Sequence, residues 1–237
     1  MSHYDQFAQH YDALMGGREE CGREVKSLLR IHAPRAKSIL ELGCGTGSIL
    51  RQLSRRYELT GVDLSAGMLE VARKKVPHAQ LFKQDISRLN VSGKFDVILC
   101  LFDTINHLPS FGHWKRVFRR AHSALNDGGV FIFDINTVYG LEHYAERSPF
   151  AEFYPKGIGI FDANQTAAGR YQLDLRLLRR VGRDTYRLHR ATIRELVMPT
   201  ETITAELKKY YRRIELLDTE RKKPSAKSEE LYFVCKK

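Results

Sequence analysis

Ser38-Ile-Leu-Glu-Leu-Gly-Cys-Gly-Thr-Gly47 is the most informative stretch of this chain, and Asp63 follows it by sixteen residues. An apolar run ends in three glycines at alternating positions, and a second apolar run, Leu59 to Leu64, carries the aspartate. Glycines let the backbone bend sharply and approach a ligand closely. A carboxylate at the end of the second strand can accept hydrogen bonds from both hydroxyls of a ribose. The stretch therefore predicts a nucleotide pocket.

The glycine spacing separates two kinds of nucleotide pocket. A dinucleotide fingerprint needs its third glycine at position 48, which is Ser48 in this chain. The pattern Glu41-x-Gly43-x-Gly45-x-Gly47 instead resembles motif I of the class I S-adenosylmethionine (SAM) methyltransferases. The resemblance implies that Glu41, Gly43 and Gly45 bind SAM. It also implies that S-adenosylhomocysteine (SAH) is the product of that cofactor.

Two following segments resemble the next motifs of the family in the same order. Asp63-Leu-Ser-x-x-Met68 is similar to the second motif, whose carboxylate holds the ribose. The residues after it, here Leu64 and Met68, cover one face of the adenine in that family. Asp85 and Ile86 are similar to the third motif, in which a carboxylate meets the adenine amino group and the next backbone amide meets a ring nitrogen.

The resemblance extends over residues 1–137. Phe95 to Leu101 is similar to the fourth strand, which implies that Leu101 lies at the cofactor, and Leu125 to Asp134 is similar to the fifth strand with its preceding loop. Upstream, Tyr4-Asp-x-Phe-Ala-x-x-Tyr11-Asp12 resembles an N-terminal helix that lies across the cofactor in small-molecule members. Tyr11 could bind the methionine carboxylate or face the sulfonium, because a cation favours an aromatic face.

Candidate catalytic residues follow the fourth strand. In the family, this loop lies beside the transferred methyl group. His107 could act as a general base and Asp103 or Asn106 could orient an acceptor. A hydroxyl acceptor would need such a base, whereas an amine that is already neutral would not. The alternative is structural: Asn106 and His107 could satisfy backbone groups at the turn before Pro109.

The order of segments predicts an α/β fold with a Rossmann-like seven-stranded sheet. Residues 1–137 form the SAM-binding core with N-terminal helices broken at Gly16-Gly17. Residues 138–200 form an inserted antiparallel sheet, in which Tyr171 to Leu177 alternate and Gly182-Arg183 makes a hairpin turn. Residues 201–237 add a helix and a final antiparallel hairpin to the core sheet. An insertion that starts at the carboxyl end of the fifth strand should cover the substrate, because open α/β sheets bind ligands beyond that end.

The charge of the chain allows an anionic partner. The net charge is +11 over 237 residues, and eight arginines lie between Arg170 and Arg194. However, Leu101-Phe-Asp-Thr104 stands where base-amine methylases carry Asn/Asp-Pro-Pro-Tyr/Phe. We therefore expect methyl transfer to a nitrogen or oxygen of a small molecule. The alternatives are an RNA methyltransferase that uses the arginine-rich hairpin and a SAM-binding or nucleoside-binding protein without turnover.

The sequence also indicates the cellular location of the protein and its use of cysteines and metals. No run of about 18 apolar residues is present, and the N-terminal residues do not resemble a signal peptide, so we expect a cytoplasmic protein without a membrane partner. The four cysteines are scattered, and they and the nine histidines show no metal-ligand spacing. No metal and no disulfide are predicted, and both a monomer and a homodimer are compatible with the sequence.

Overall fold

The computed structural model describes residues 8–14, 19–54, 56–154, 156–219 and 223–237. Its helices are α1 (Ala8–Leu14), α2 (Glu19–His32), α3 (Ser48–Leu53), α4 (Ala66–Lys75), α5 (Phe111–Ala124), α6 (Val138–Glu146) and α7 (Thr200–Leu207). Its strands are β1 (Ser38–Leu42), β2 (Glu58–Asp63), β3 (Gln80–Lys83), β4 (Phe95–Cys100), β5 (Leu125–Asn136), β6 (Phe150–Tyr154), β7 (Gly157–Ala167), β8 (Arg170–Arg180), β9 (Tyr186–Leu196), β10 (Arg213–Asp218) and β11 (Glu230–Lys236). Tyr4 and the predicted helix break at Gly16-Gly17 lie outside the described residues.

Seven strands form one mixed sheet in the order β10-β11-β5-β4-β1-β2-β3. The first five strands of the chain run parallel, and β11 runs antiparallel to both of its neighbours. This arrangement confirms the predicted class I sheet with its C-terminal hairpin. The strand order reverses between β1 and β4, so their carboxyl ends form the switch point where open α/β sheets bind ligands.

Helices cover both faces of this sheet, which explains why its central strands are continuous apolar runs. On one face, Trp114 and Phe118 of α5 are fully buried, and the Phe118 ring lies 5.4 Å from that of Phe133. On the other face, α2 and α3 bury Leu29 and Leu50. The core thereby fixes the ends of β1 and β4 from both sides.

A second sheet of four antiparallel strands, β6-β7-β8-β9, forms the inserted layer. The alternation predicted for β8 is confirmed, because Tyr171, Leu175 and Leu177 are buried on one face. The turn into β9 closes with a hydrogen bond from the Val181 amide to the Thr185 carbonyl. The sequence did not predict α6 or β6. The three central residues of β6 are exposed, Phe153 among them, and its sequence shows no alternation of apolar and polar residues that would mark a strand.

None of the described helices is both long and apolar enough to cross a bilayer.

Candidate functional site

The glycine turn after β1 has the left-handed backbone that its sequence predicts. Gly43, Gly45 and Gly47 have φ angles of 73°, 51° and 76°. The Gly43 amide donates to the Val62 carbonyl at 2.8 Å, which folds the turn over the end of β2. A Cβ on Gly43 would lie 2.4 Å from Cγ2 of Thr104. Glycine is therefore required here by backbone angle and by the close approach of the loop after β4.

Two carboxylates at the strand ends are oriented by backbone amides. Asp63 accepts from the amides of Gly45 and Ser65, each at 2.8 Å. Asp85 accepts from the Ser87 amide at 2.8 Å. A carboxylate offers about four acceptor positions, so each group can still accept further hydrogen bonds. These fixed acceptors fit the ribose hydroxyls and the adenine amino group of SAM.

A cavity of about 430 Å³ lies above this turn, which is sufficient for a small cofactor. It brings together every residue that the sequence predicts to bind SAM: Tyr11, Glu41, Gly43, Gly45, Asp63, Leu64, Met68, Asp85, Ile86 and Leu101. His107 also lines it. The residues present fit SAM, and their individual contacts with it stay predictions.

Helix α1 is held against the glycine turn by a polar cluster. Asp12 accepts from the Thr46 hydroxyl at 2.6 Å and from the Ser48 hydroxyl at 3.1 Å, and it forms an ion pair with Lys75 of α4. Although burial works to raise it, the pKa of Asp12 is lowered on balance by the hydrogen bonds from Lys75 and Thr46. The same helix brings Tyr11 to the cavity wall, so this cluster positions Tyr11.

Replacing Lys75 by methionine is expected to weaken SAM binding about 5-fold, because the partly buried ion pair that holds α1 is lost. Isothermal titration calorimetry measures the change. The matched control is Lys74→Met, which removes a charge from the same helix at an exposed pair with Glu70. Equal affinity losses in the two variants would show that the tether of α1 has no part in binding.

The loop after β4 has an unusual backbone that a buried carboxylate holds in place. Phe102 and Asp103 have φ angles of 59° and 50°, which non-glycine residues rarely adopt. Their amides donate to the two carboxylate oxygens of Asp134, at 2.8 and 2.7 Å. Asp134 was not among the residues predicted from the sequence. A single charged residue inside the apolar run of β5 was the available signal.

Asn106 joins this loop to the inserted sheet. Its side-chain NH2 group donates to the backbone carbonyls of Asn136 and Leu196. Its backbone carbonyl accepts from the backbone amide of Leu196 at 2.8 Å. Asn106 is fully buried. The structural alternative therefore describes Asn106 well, because its side chain satisfies backbone groups. Through these bonds the loop and β9 are held together.

Asp103 and His107 meet a third group, Glu195, which the sequence analysis did not select. Nε2 of His107 lies 3.6 Å from the Asp103 carboxylate. The side-chain NH2 group of Asn136 donates to Asp103 at 3.2 Å and to Glu195 at 2.8 Å. Burial and the nearby charge of Asp103 raise the pKa of Glu195 to about 8. Burial lowers the pKa of His107, and the charge of Glu195 opposes that shift.

A signal for Glu195 existed in the sequence of β9. In this strand Ala191, Ile193 and Glu195 occupy alternate positions, and Glu195 pairs with Tyr171 on the buried face of the sheet. A carboxyl group at an inward position of an otherwise apolar alternation is unusual. It indicates a role that burial alone does not explain.

The spacing of these three groups can be compared with that of a metal site. One ligand atom from each of Asp103, His107 and Glu195 falls within 4.8 Å of the others, and the separation of 3.6 Å between His107 and Asp103 is one of these distances. Neighbouring ligands on a tetrahedral ion with bonds of about 2.1 Å lie about 3.4 Å apart, so this distance does not separate a metal site from a metal-free cluster. The absence of a metal stays a prediction.

A second cavity of about 610 Å³ lies under the inserted sheet. Tyr11, Phe102 and His107 line both cavities, so the two meet at these side chains. Seven of the 22 residues that line the second cavity are acidic, and none of the described lining residues is a lysine or an arginine. A protein with a net charge of +11 thus has an acidic chamber beside its nucleotide pocket.

The chain is similar to known methyltransferases. Residues 39–129 match the family described as a methyltransferase domain. A dTDP-3-amino-3,6-dideoxy-α-D-glucopyranose N,N-dimethyltransferase of Streptomyces fradiae is 33% identical over 133 residues, which are 54% of this chain and 52% of that protein. The chain spans about half to just under two thirds of the length of the curated relatives it matches.

Two solved structures extend the similarity over the whole fold. A SAM-dependent methyltransferase from Clostridium acetobutylicum ATCC 824 superimposes with a TM-score of 0.87, at 26% identity over 99% of each chain. A SAM-bound amino pentose methyltransferase from Micromonospora echinaspora has a TM-score of 0.77 and 18% identity, with 96% of this chain and 94% of that chain covered. The strand order, the glycine turn and these similarities together show that the chain carries a methyltransferase domain with the fold of the class I SAM-dependent methyltransferases.

Proposed function

We propose that this protein binds SAM above the glycine turn and transfers its methyl group to the nitrogen of a small-molecule amine. The observation that carries the proposal is the acidic second cavity, which meets the nucleotide cavity at Tyr11, Phe102 and His107. A chamber lined by carboxylates favours a cationic acceptor over an anionic one. The sugar-amine methyltransferase among the relatives supports the same class of acceptor.

Methyl transfer from SAM depends more on the position of the acceptor nitrogen than on covalent catalysis. Bound SAM would supply a methyl group on a positively charged sulfur. The sulfur would be the leaving group of an in-line displacement. Tyr11 and Phe102 would enclose the acceptor at the junction and exclude water. The loop after β4 would hold the nitrogen in line, and such pre-orientation accounts for most of the acceleration in reactions of this type.

The two alternatives from the sequence are less well supported. Five arginines of the hairpin lie on the face of the sheet opposite the buried Tyr171 and Leu175, namely Arg170, Arg176, Arg180, Arg190 and Arg194. This face points away from the cavity that Leu173, Leu175 and Glu195 line, so a phosphate backbone bound there would lie on the far side of the sheet from the cofactor. An RNA acceptor would also have to enter an acidic chamber. A binding protein without turnover would not need that chamber to open onto the cofactor. Acceptor, oligomeric state and cellular location stay predictions.

The cofactor is tested with SAM, SAH and NAD in thermal-shift and calorimetric experiments. SAM and SAH should stabilise the wild type, whereas Asp63→Ala should bind both about 10- to 150-fold more weakly, because charge-assisted hydrogen bonds to the ribose are lost. Glu58→Gln, at the other end of β2, is the matched control. Stabilisation by NAD alone would contradict the proposal.

The acceptor class is tested by SAH formation. Small primary amines should support SAH release, and matched alcohols of the same shape should not. Binding of heparin or tRNA that depends steeply on salt and is abolished by reversing Arg176, Arg180 and Arg187 would favour the RNA alternative. Turnover with any acceptor in the wild type but not in Asp63→Ala would exclude a protein without activity.

A further inference from the structure

We propose that Glu195 and Asp103 form one carboxyl pair that binds the ammonium group of the acceptor and removes its proton before methyl transfer. The inference rests on the proposed function and assigns a catalytic residue from the inserted sheet. Asp103 comes from the loop after β4, and Glu195 comes from the end of β9. The acceptor site is thus completed only when the inserted sheet lies on the core.

The position of the pair fits this role. Both residues line the second cavity, and His107, which lines the two cavities, is the neighbour of both. The Asn136 amide bridges the two carboxyl groups with one hydrogen bond to each. An ammonium group in contact with both carboxyl groups would lie close to the cavity junction, where a SAM methyl group would have to point.

Among the described residues, no lysine or arginine lines the second cavity beside Glu195, while Arg170 and Arg194 line a further cavity that Glu195 also borders. Asp103 and His107 face it from the loop after β4, Asn136 faces it from β5, and Tyr171 pairs with it from β8. Tyr144 of α6 lines the same cavity, and burial raises the pKa of its hydroxyl, so this group remains a donor. Glu195 is 4% exposed, and burial raises its pKa to about 8. Near neutral pH the pair therefore holds one proton and one negative charge.

The proton and the electrons balance within the two substrates and this pair. One N–H bond of the ammonium group breaks, and its proton joins the ionised carboxylate, which makes the pair neutral. The nitrogen lone pair that this releases then forms the bond to the methyl carbon. The bonding electrons of the broken carbon–sulfur bond stay on sulfur. The proton leaves to water after the products depart, and no other reactant is needed.

The probe for the test is cyclohexylamine, with cyclohexanol as its neutral counterpart of similar shape. In the presence of saturating SAH, the wild type should bind the amine more tightly than the alcohol. Glu195→Gln and Asp103→Asn should each weaken amine binding about 10-fold or more and leave alcohol binding unchanged. The control is Glu146→Gln, which removes an exposed carboxylate from α6 outside both cavities.

The pH dependence distinguishes a proton-holding pair from a passive acidic wall. A primary alkylamine stays protonated well above pH 8. Wild-type affinity for cyclohexylamine should therefore rise as the pH passes about 8, where Glu195 ionises, and the affinity of Glu195→Gln should show no such rise. An unchanged amine preference in Glu195→Gln, or no preference in the wild type, would overturn the proposal.

Infrared difference spectroscopy on the wild type gives a second reading that needs no variant. The carbonyl band of a buried carboxylic acid should disappear as the pH passes about 8, and cyclohexylamine should shift this titration to lower pH. A titration that the amine does not move would also overturn the inference. Normal SAH binding with amine-dependent SAH release that Glu195→Gln and Asp103→Asn leave unchanged contradicts only this inference, whereas failure to bind SAM and SAH contradicts the proposed function.

Discussion

Asp134→Ala is expected to lower the free energy of unfolding by about 3 kcal/mol and to weaken SAM binding about 10-fold. The two buried amides of Phe102 and Asp103 lose their acceptors in this variant. Each left-handed residue costs about 1–3 kcal/mol, which only surrounding contacts can offset. Without the carboxylate, the loop should relax to negative φ and move Thr104 away from Gly43. Denaturant unfolding and calorimetry measure the two effects.

A matched control separates strain from ordinary hydrogen-bond loss. Asp96 also accepts from two backbone amides, those of Lys37 and Ser38, at 2.8 and 3.1 Å, but it lies at the opposite end of the sheet. Neither amide belongs to a residue with positive φ. Asp96→Ala should therefore destabilise the protein less and leave SAM affinity unchanged. Equal effects of Asp96→Ala and Asp134→Ala on SAM binding would contradict the argument.

A double-mutant cycle isolates the strain itself. Glycine adopts positive φ without the steric cost that phenylalanine has, a difference of about 1 kcal/mol. In the background of Phe102→Gly, the loss caused by Asp134→Ala should therefore be smaller by roughly that amount. Full additivity of the two substitutions would show that Asp134 does not hold Phe102 in its left-handed conformation.

The parts of the site that the sequence predicts correctly are those built from neighbours along the chain. The glycine turn and its position before the second strand follow from residue types at fixed short spacings, and the parallel sheet follows from the alternation of strands and helices. Helix starts are local in the same sense: α3 begins at Ser48, directly after the glycine turn, and Ser65 caps α4 by accepting from the Met68 amide. Local stereochemistry determines such features, so sequence alone carries them.

The remaining parts depend on residues far apart in sequence. Asp134 contacts a loop about 30 residues earlier, and Asn106 contacts the Leu196 carbonyl 90 residues later. The raised pKa of Glu195 needs burial that only the docked sheet provides. Neither spacing nor periodicity encodes these contacts. For the same reason, Asp103 and His107 were predicted from the sequence as candidate residues and Glu195 was not.

Glu195→Gln is expected to stabilise the protein at alkaline pH while it impairs amine binding. The folded-state pKa of Glu195 is raised to about 8, from 4.5. The native state therefore keeps a proton that the unfolded state releases, and the stability of the wild type falls as the pH rises from about 4.5 to about 8. Below this range the carboxyl group is neutral in both states, so the glutamine variant should match the wild type there.

Above about pH 8 the glutamine variant should exceed the wild type by as much as about 5 kcal/mol, since each pKa unit corresponds to about 1.36 kcal/mol. Denaturant unfolding at several pH values measures the difference. Glu58→Gln, which removes the same charge at an exposed position, should show no comparable gain. A constant difference between Glu195→Gln and the wild type at all pH values would show that Glu195 ionises normally. A gain in stability together with a loss of amine binding is expected of a carboxyl group that is kept buried for its chemistry rather than for the fold.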